Sequence, residues 1–251
     1  MLEINLQGKT ALITGATQGI GKSIADHFLE AGADLILTGT KQHEIDALNK
    51  KNVRLLKQNV KYIQLDLSSV DSTQTFIKTL EELPRIDICI NNAGVNKVAE
   101  FIHTSEEDFD WINQINLYGP YRILQSIIPG MIENKFGRIV NIASIWSVVT
   151  RKGRSLYTSS KNALVGLTET IAVELAQHNI LVNAVSPGFT LTELTKNTNT
   201  PEELSLIEST IPLRRLALPG EIATLVAFLS SELNSYTTGQ NIVIDGGYTN
   251  L

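Results

Sequence analysis

Short apolar runs alternate with longer helical patterns along the whole chain. The runs centre on A-L-I-T, D-L-I-L-T-G, K-Y-I-Q-L-D, I-D-I-C-I-N, R-I-V-N-I-A, L-V-N-A-V-S and N-I-V-I-D. Runs of this length, bounded by turn residues, read as strands buried on both faces. Seven of them separated by helices predict an α/β fold built on a parallel, doubly wound sheet. Right-handed crossovers then place helices on both faces. No linker, repeat or low-complexity stretch divides the chain, so residues 1–251 are expected to form a single domain. The least regular part is residues 190–212. Within it, T-P-E-E-L at 200–204 reads as a helix start, with Thr200 as cap and Pro201 in the first turn. The segment follows the sixth strand, at the end of the sheet where such folds bind ligands. It is therefore expected to act as a mobile lid.

Two patterns carry candidate chemistry. After the first strand comes T-G-A-T-Q-G-I-G at residues 14–21, and then a helical pattern. Gly15 permits a tight turn, Gly19 a close approach of backbone to a pyrophosphate, and Gly21 close packing of helix on strand. Thr17, Gln18 and Ile20 complete the loop. The helix N-terminus behind it offers N–H groups and a positive dipole end to phosphate. The spacing is G-x-x-x-G-x-G rather than G-x-G-x-x-G, and a glycine-rich turn without ligand is the plainer alternative. The second pattern places Ser144 just after the fifth strand, with Tyr157 and Lys161 four apart in a helix and thus on one face. These three form a compact proton-transfer site, against the plainer reading of an exposed helix with a solvated lysine.

Taken together, these residues resemble the short-chain dehydrogenase/reductase family over essentially the whole chain. Residues 14–21 match its T-G-x-x-x-G-x-G, residues 91–94 its N-N-A-G, and Tyr157 with Lys161 its Y-x-x-x-K. Asn116, Ser144 and the Pro187-Gly188 pair fall at family-like spacing, followed by Thr190 and Thr192. The resemblance implies a Rossmann-type fold with strand order 3-2-1-4-5-6-7. It also implies an NAD(P)-dependent enzyme that interconverts a ketone and a secondary alcohol. Tyr157 is then the proton donor or base, Ser144 bonds the carbonyl oxygen, and Lys161 holds the nicotinamide ribose and lowers the Tyr157 pKa. Asn116 is implied to hold a water that links Lys161 to solvent. Asp66, with Leu67 beside it, is implied to meet the adenine, and Asn92, Ala93 and Gly94 the adenosine ribose. Pro187, Gly188, Thr190 and Thr192 are implied to line the nicotinamide and pyrophosphate.

The end of the second strand bears on the choice of cofactor. An acidic residue there would bond a free ribose 2′-hydroxyl and repel a 2′-phosphate. The chain instead reads L-T-G-T-K-Q, with Thr40 at the decisive position and Lys41 beside it. Thr38 adds a hydroxyl, and NADP(H) is favoured over NAD(H). The net charge of −5 and the lack of a basic tract argue against nucleic acid as partner. No apolar run reaches the length of a membrane span. The opening M-L-E-I-N-L-Q-G-K has no signal-peptide centre, and a cytoplasmic location is expected. Cys89, the single cysteine, lies in an apolar strand and reads as a packing residue. No His/Cys/Asp/Glu cluster has metal-ligand spacing, so no metal is expected.

Within the family the pattern looks most like bacterial β-ketoacyl carrier-protein reductases, and next like sugar and polyol dehydrogenases. A 3-oxoacyl thioester is thus the first expectation, a sugar, polyol or nucleotide-sugar the second, and a non-catalytic cofactor-binding regulator the third. Trp146, Arg151, Lys152 and Arg154 flank the expected substrate. Trp146 and Arg154 are candidate contacts, for an anionic substrate in the case of the cation. A solvated charge run or an interface ion pair are the alternatives. Arg214 and Arg215 are read as anchoring the lid. Trp111 and Tyr118 are read as packing residues on a helix at a subunit interface. The resemblance implies a homo-oligomer, with a tetramer favoured.

Overall fold

All seven apolar runs become parallel strands of one sheet in the computed structural model, which describes residues 3–52, 58–83 and 85–251. The strands are β1 (Thr10–Ile13), β2 (Asp34–Gly39), β3 (Val60–Gln64), β4 (Ile88–Asn91), β5 (Gly137–Ile142), β6 (Ile180–Pro187) and β7 (Asn241–Ile244). Their order is β3-β2-β1-β4-β5-β6-β7, as the family resemblance implies. Ala11 of β1 pairs with Leu35 of β2 on one side and Ile88 of β4 on the other. The winding reverses between β1 and β4, so a crevice opens above their carboxyl ends, where such sheets bind ligands.

The helices are α1 (Gly19–Glu30), α2 (Gln42–Asn52), α3 (Val70–Glu81), α4 (Glu106–Asn113), α5 (Gly119–Glu133), α6 (Ser155–Leu175), α7 (Glu193–Thr198), α8 (Pro201–Ser209) and α9 (Pro219–Ser230). Two apolar layers form, one on each face. On one face Ile24 and Phe28 of α1 pack with Ile222 and Val226 of α9 against the sheet. On the other, Phe76 of α3, Ile123, Leu124 and Met131 of α5, and Leu175 of α6 pack below Cys89, Ile139 and Val182. Burial pushes the Cys89 thiol up to about 12, which suits a packing residue.

The central strands are largely buried, and the asparagines among their few polar side chains bond internally. Asn91 Nδ2 donates to Asn141 Oδ1 at 2.8 Å, and Asn141 Nδ2 donates to Thr168 Oγ1 of α6 at 2.8 Å. This chain ties β4, β5 and α6 together just below the crevice.

Residues 190–212 hold α7 and α8. Thr200 caps α8 as expected: its hydroxyl accepts from Glu203 N at 3.2 Å, and Glu203 Oε2 accepts from Thr200 N at 2.8 Å. Arg214 donates to Ser209 O at the end of α8. Arg215 makes a bidentate pair with Glu221 in the first turn of α9, at 2.7 and 2.6 Å. Arg214 thus ties back to the segment, whereas Arg215 bonds the start of α9 instead.

Candidate active site

The glycine loop leaves β1 through Thr14, whose hydroxyl accepts from the backbone N–H of both Asn92 and Ala93 at 3.0 Å. Asn92 Nδ2 returns the tie, donating to Thr14 O at 2.9 Å and Gly15 O at 3.0 Å. Gly15 sits at φ +64°, a region that favours glycine. A Cβ on Gly21 would lie 2.3 Å from Gly15 O and 2.4 Å from Asn92 Nδ2. Only hydrogen fits there. Gln18, exposed and extended, precedes α1 without a capping side-chain bond, and the first turn of α1 holds no acidic residue. Gly19 faces Thr192, the cap of α7. The cradle thus ends in uncapped amide groups beside the crevice.

The second cluster assembles from four elements. Ser144 follows β5 and is buried. Its Oγ accepts from Trp146 N at 3.3 Å. Tyr157 and Lys161 stand one turn apart on α6, with Lys161 Nζ 5.7 Å from the Tyr157 ring centre. Lys161 is only 3% exposed. Its Nζ donates to Ile142 O at 2.7 Å, and burial pulls its pKa from 10.5 down to about 8. Burial raises the Tyr157 phenol, while the hydrogen bond with Ser144 and then the charge of Arg154 act to lower it. Lys161, which the resemblance implies assists Tyr157, directs its ammonium to the Ile142 carbonyl in the free protein.

Asn116 lies in a π turn, residues Gln114–Tyr118, that joins α4 to α5. Such turns shift side chains out of helical register at functional sites. Here Asn116 Oδ1 accepts from Val95 N at 2.8 Å. Its Nδ2 donates to Val95 O at 2.9 Å and to Ser160 Oγ at 3.0 Å. A Cβ on Gly94 would lie 3.3 Å from both Asn116 Oδ1 and Lys161 Nζ, so the two groups border one point.

A family model described as enoyl-(acyl carrier protein) reductase matches residues 15–249. The 3-oxoacyl-[acyl-carrier-protein] reductase FabG of Aquifex aeolicus is 37% identical over 248 residues, covering 98% of this chain and 99% of the relative. The chain is a short-chain dehydrogenase/reductase. Oxidoreductase UcpA of Salmonella typhimurium is 43% identical over 255 residues, covering 97% and 95% of the two chains. The structure of a 3-oxoacyl (acyl-carrier-protein) reductase from Agrobacterium tumefaciens C58, with NADP bound, superposes with a TM-score of 0.91 at 29% identity. It covers 98% of this chain and 96% of the other. The protein is thus an oxidoreductase of an NAD(P)-dependent family.

The dinucleotide of this short-chain dehydrogenase/reductase fits the residues present. The glycine cradle has no room for a Cβ at Gly21, the start of α1 is uncapped, and Lys161 is a buried cation without a carboxylate partner among the described residues. Gly188 is held at the mouth of β6 by its N–H, which donates to Ile244 O at 2.9 Å. Its neighbour Pro187 ends that strand in the core. Thr190 is buried, with its hydroxyl donating to Gly188 O at 3.2 Å. The Thr192 hydroxyl accepts from Thr195 N at 3.2 Å to cap α7.

Other expected residues lie around these two clusters. Asp66 Oδ1 accepts from the Ser68 backbone at 2.9 Å and hydroxyl at 2.6 Å. Leu67 turns its side chain into the core beneath, against Gly119. Ile20 packs on the core under α1. Thr40 is exposed, and Lys41 pairs with Glu44 at 2.8 Å. Thr38 does not face solvent; its hydroxyl accepts from Gly15 N at 3.2 Å and so shapes the loop.

Sequence reasoning missed Ser160, Val95 and Ile142 as partners of Asn116 and Lys161. Two of those contacts use main-chain groups, which leave no residue-specific signal. It also missed Phe189 and Tyr248, which meet Trp146 edge-on at 6.1 and 6.2 Å. These three aromatics come from distant segments that only the folded sheet brings together.

Proposed function

We propose that the protein reduces a ketone to a secondary alcohol, with a 3-oxoacyl thioester as the substrate class and NADPH preferred over NADH. The observation that carries this reading is Tyr157 one turn from buried Lys161 on α6, with the Ser144 hydroxyl acting on the Tyr157 phenol. Two hydroxyls on one point suit a carbonyl oxygen better than a carbon–carbon double bond, which has no acceptor atom for them. NADPH, when bound, supplies the hydride. Tyr157 hands its proton to the carbonyl oxygen, and Ser144 donates a hydrogen bond that stabilises the developing alkoxide. Lys161 holds the ribose hydroxyls, and Asn116 holds a water that returns protons from solvent.

Gly15, Thr17, Gln18, Gly19, Ile20 and Gly21 form the pyrophosphate cradle, with Thr192 opposite. Asp66 and Leu67 flank the adenine, and Asn92, Ala93 and Gly94 the adenosine ribose. Pro187, Gly188 and Thr190 orient the nicotinamide. The absence of an acidic residue at Thr40 supports NADPH, as does the NADP in the Agrobacterium structure. Lys41 would exchange Glu44 for the 2′-phosphate. Residues 190–212, with α7 and α8, act as a lid over the single domain.

The names of the FabG relatives support the thioester. We also infer a cytoplasmic homo-oligomer. Among the described residues no helix is long and apolar enough to cross a membrane. Trp111, Tyr118 and Tyr121 are exposed along an apolar groove of about 810 Å³ on α4 and α5, which supports a tetramer contact there. The test of the substrate class is the initial rate of NADPH oxidation with an acetoacetyl thioester. Turnover is expected; no turnover in protein shown to bind NADPH would remove the thioester.

A further inference from the structure

Three cations lie between Ser144 and Tyr157, and the fold treats them differently. Lys152 is exposed and pairs with Glu100 at 2.8 Å. Arg151 is exposed to solvent. Arg154 alone is half-buried, and none of the ion pairs among the described residues includes it. Nor does its guanidinium make a hydrogen bond among them. It lies over the Trp146 ring at 5.8 Å, and its charge reaches Tyr157. Trp146 in turn belongs to the cluster with Phe189 and Tyr248, which meet at 5.3 Å. These aromatics follow β5, β6 and β7, so they wall the carboxyl end of the sheet beside the reacting hydroxyls.

A partly desolvated guanidinium without a counter-charge is unfavourable in the free protein. Its planar fork matches a carboxylate or phosphate bidentately, and stacking on an indole fixes its orientation. We propose that Arg154, held over Trp146, binds an anionic group carried on the substrate close to the carbonyl that Tyr157 and Ser144 receive. Arg154 is then a specificity residue for ketones that carry a carboxylate or phosphate near the carbonyl, a class beyond the thioester. This rests on the carbonyl-reductase reading above.

The test compares matched substrates within each variant. Acetoacetate is set against ethyl acetoacetate, and dihydroxyacetone phosphate against dihydroxyacetone, with NADPH. The ratio of kcat/KM for the anionic member over the neutral one removes any effect of Arg154 on Tyr157 itself. Arg154→Gln should lower that ratio roughly tenfold to a hundredfold in at least one pair, the worth of one charge-assisted contact. Arg154→Lys should recover part of it, and the pair affected tells carboxylate from phosphate. Arg151→Gln should leave the ratio within about threefold, as expected of a solvent-screened charge. Turnover of the neutral ketones with ratios equal in wild type and Arg154→Gln would overturn the subsite and leave the reductase reading intact. Failure of the wild type to reduce any of the four, and the acetoacetyl thioester too, would overturn both.

Discussion

Lys161 is predicted to cost the free protein stability at neutral pH, and the cost should vanish in alkali. Its ammonium is 3% exposed, with one carbonyl as its hydrogen-bond partner, and its pKa falls from 10.5 to about 8. At about 1.4 kcal/mol for each pKa unit, the gap is worth about 3 kcal/mol. Below pH 8 both folded and unfolded chains carry the proton, so the folded state bears the full penalty. Between 8 and 10.5 the unfolded chain keeps the proton that the folded chain has shed, and stability rises with pH. The Lys161→Met variant carries no such group. Its loss of the bond to Ile142 O, about 1.5–3 kcal/mol for a charged donor, offsets most of the gain at pH 7. The two proteins should therefore be of similar stability there. By pH 10 the wild type should have gained roughly 2–3 kcal/mol over the variant. Urea unfolding of both proteins at pH 7 and pH 10, without cofactor, measures this difference. Parallel pH dependences would refute the reasoning, because they would mean that Lys161 titrates as it does in water.

Gly21→Ala places a Cβ against Gly15 O and Asn92 Nδ2 and should lower both Tm and NADPH affinity, the latter at least tenfold by fluorescence titration. An unchanged affinity would show that the loop does not cradle phosphate. Thr40→Asp puts a carboxylate where we propose that the 2′-phosphate binds; it should shift the NADPH/NADH ratio of kcat/KM toward NADH by roughly tenfold or more, as one like-charge contact implies. Asn116→Ala removes three hydrogen bonds around Val95 and Ser160 and should cost about 2–3 kcal/mol in urea unfolding, with turnover falling too.

The sheet was legible because its central strands are buried on both faces and so read as continuous apolar runs. The loop at residues 14–21 and the Tyr157–Lys161 spacing were legible because each depends on residues close in sequence. What escaped was either main-chain or long-range. Lys161 finds the carbonyl of Ile142, 19 positions away, and any residue there would offer the same atom. Thr38 seemed a candidate for phosphate from its place in the strand. Its hydroxyl instead holds Gly15, a partner 23 positions earlier that parallel pairing of β1 with β2 brings alongside. Arg154 and Trp146 were legible as candidate contacts from their place before Tyr157; what the sequence did not show is that Arg154, unlike Arg151 and Lys152, packs half-buried over Trp146.

The proposed chemistry turns on Tyr157 as the proton donor. Tyr157→Phe removes one oxygen from a half-buried ring and should leave the fold and NADPH binding intact. Turnover of the acetoacetyl thioester should fall by about 10³-fold, within the range of a lost general acid. Retention of wild-type turnover by Tyr157→Phe, with NADPH bound equally well, would contradict the assignment of the site.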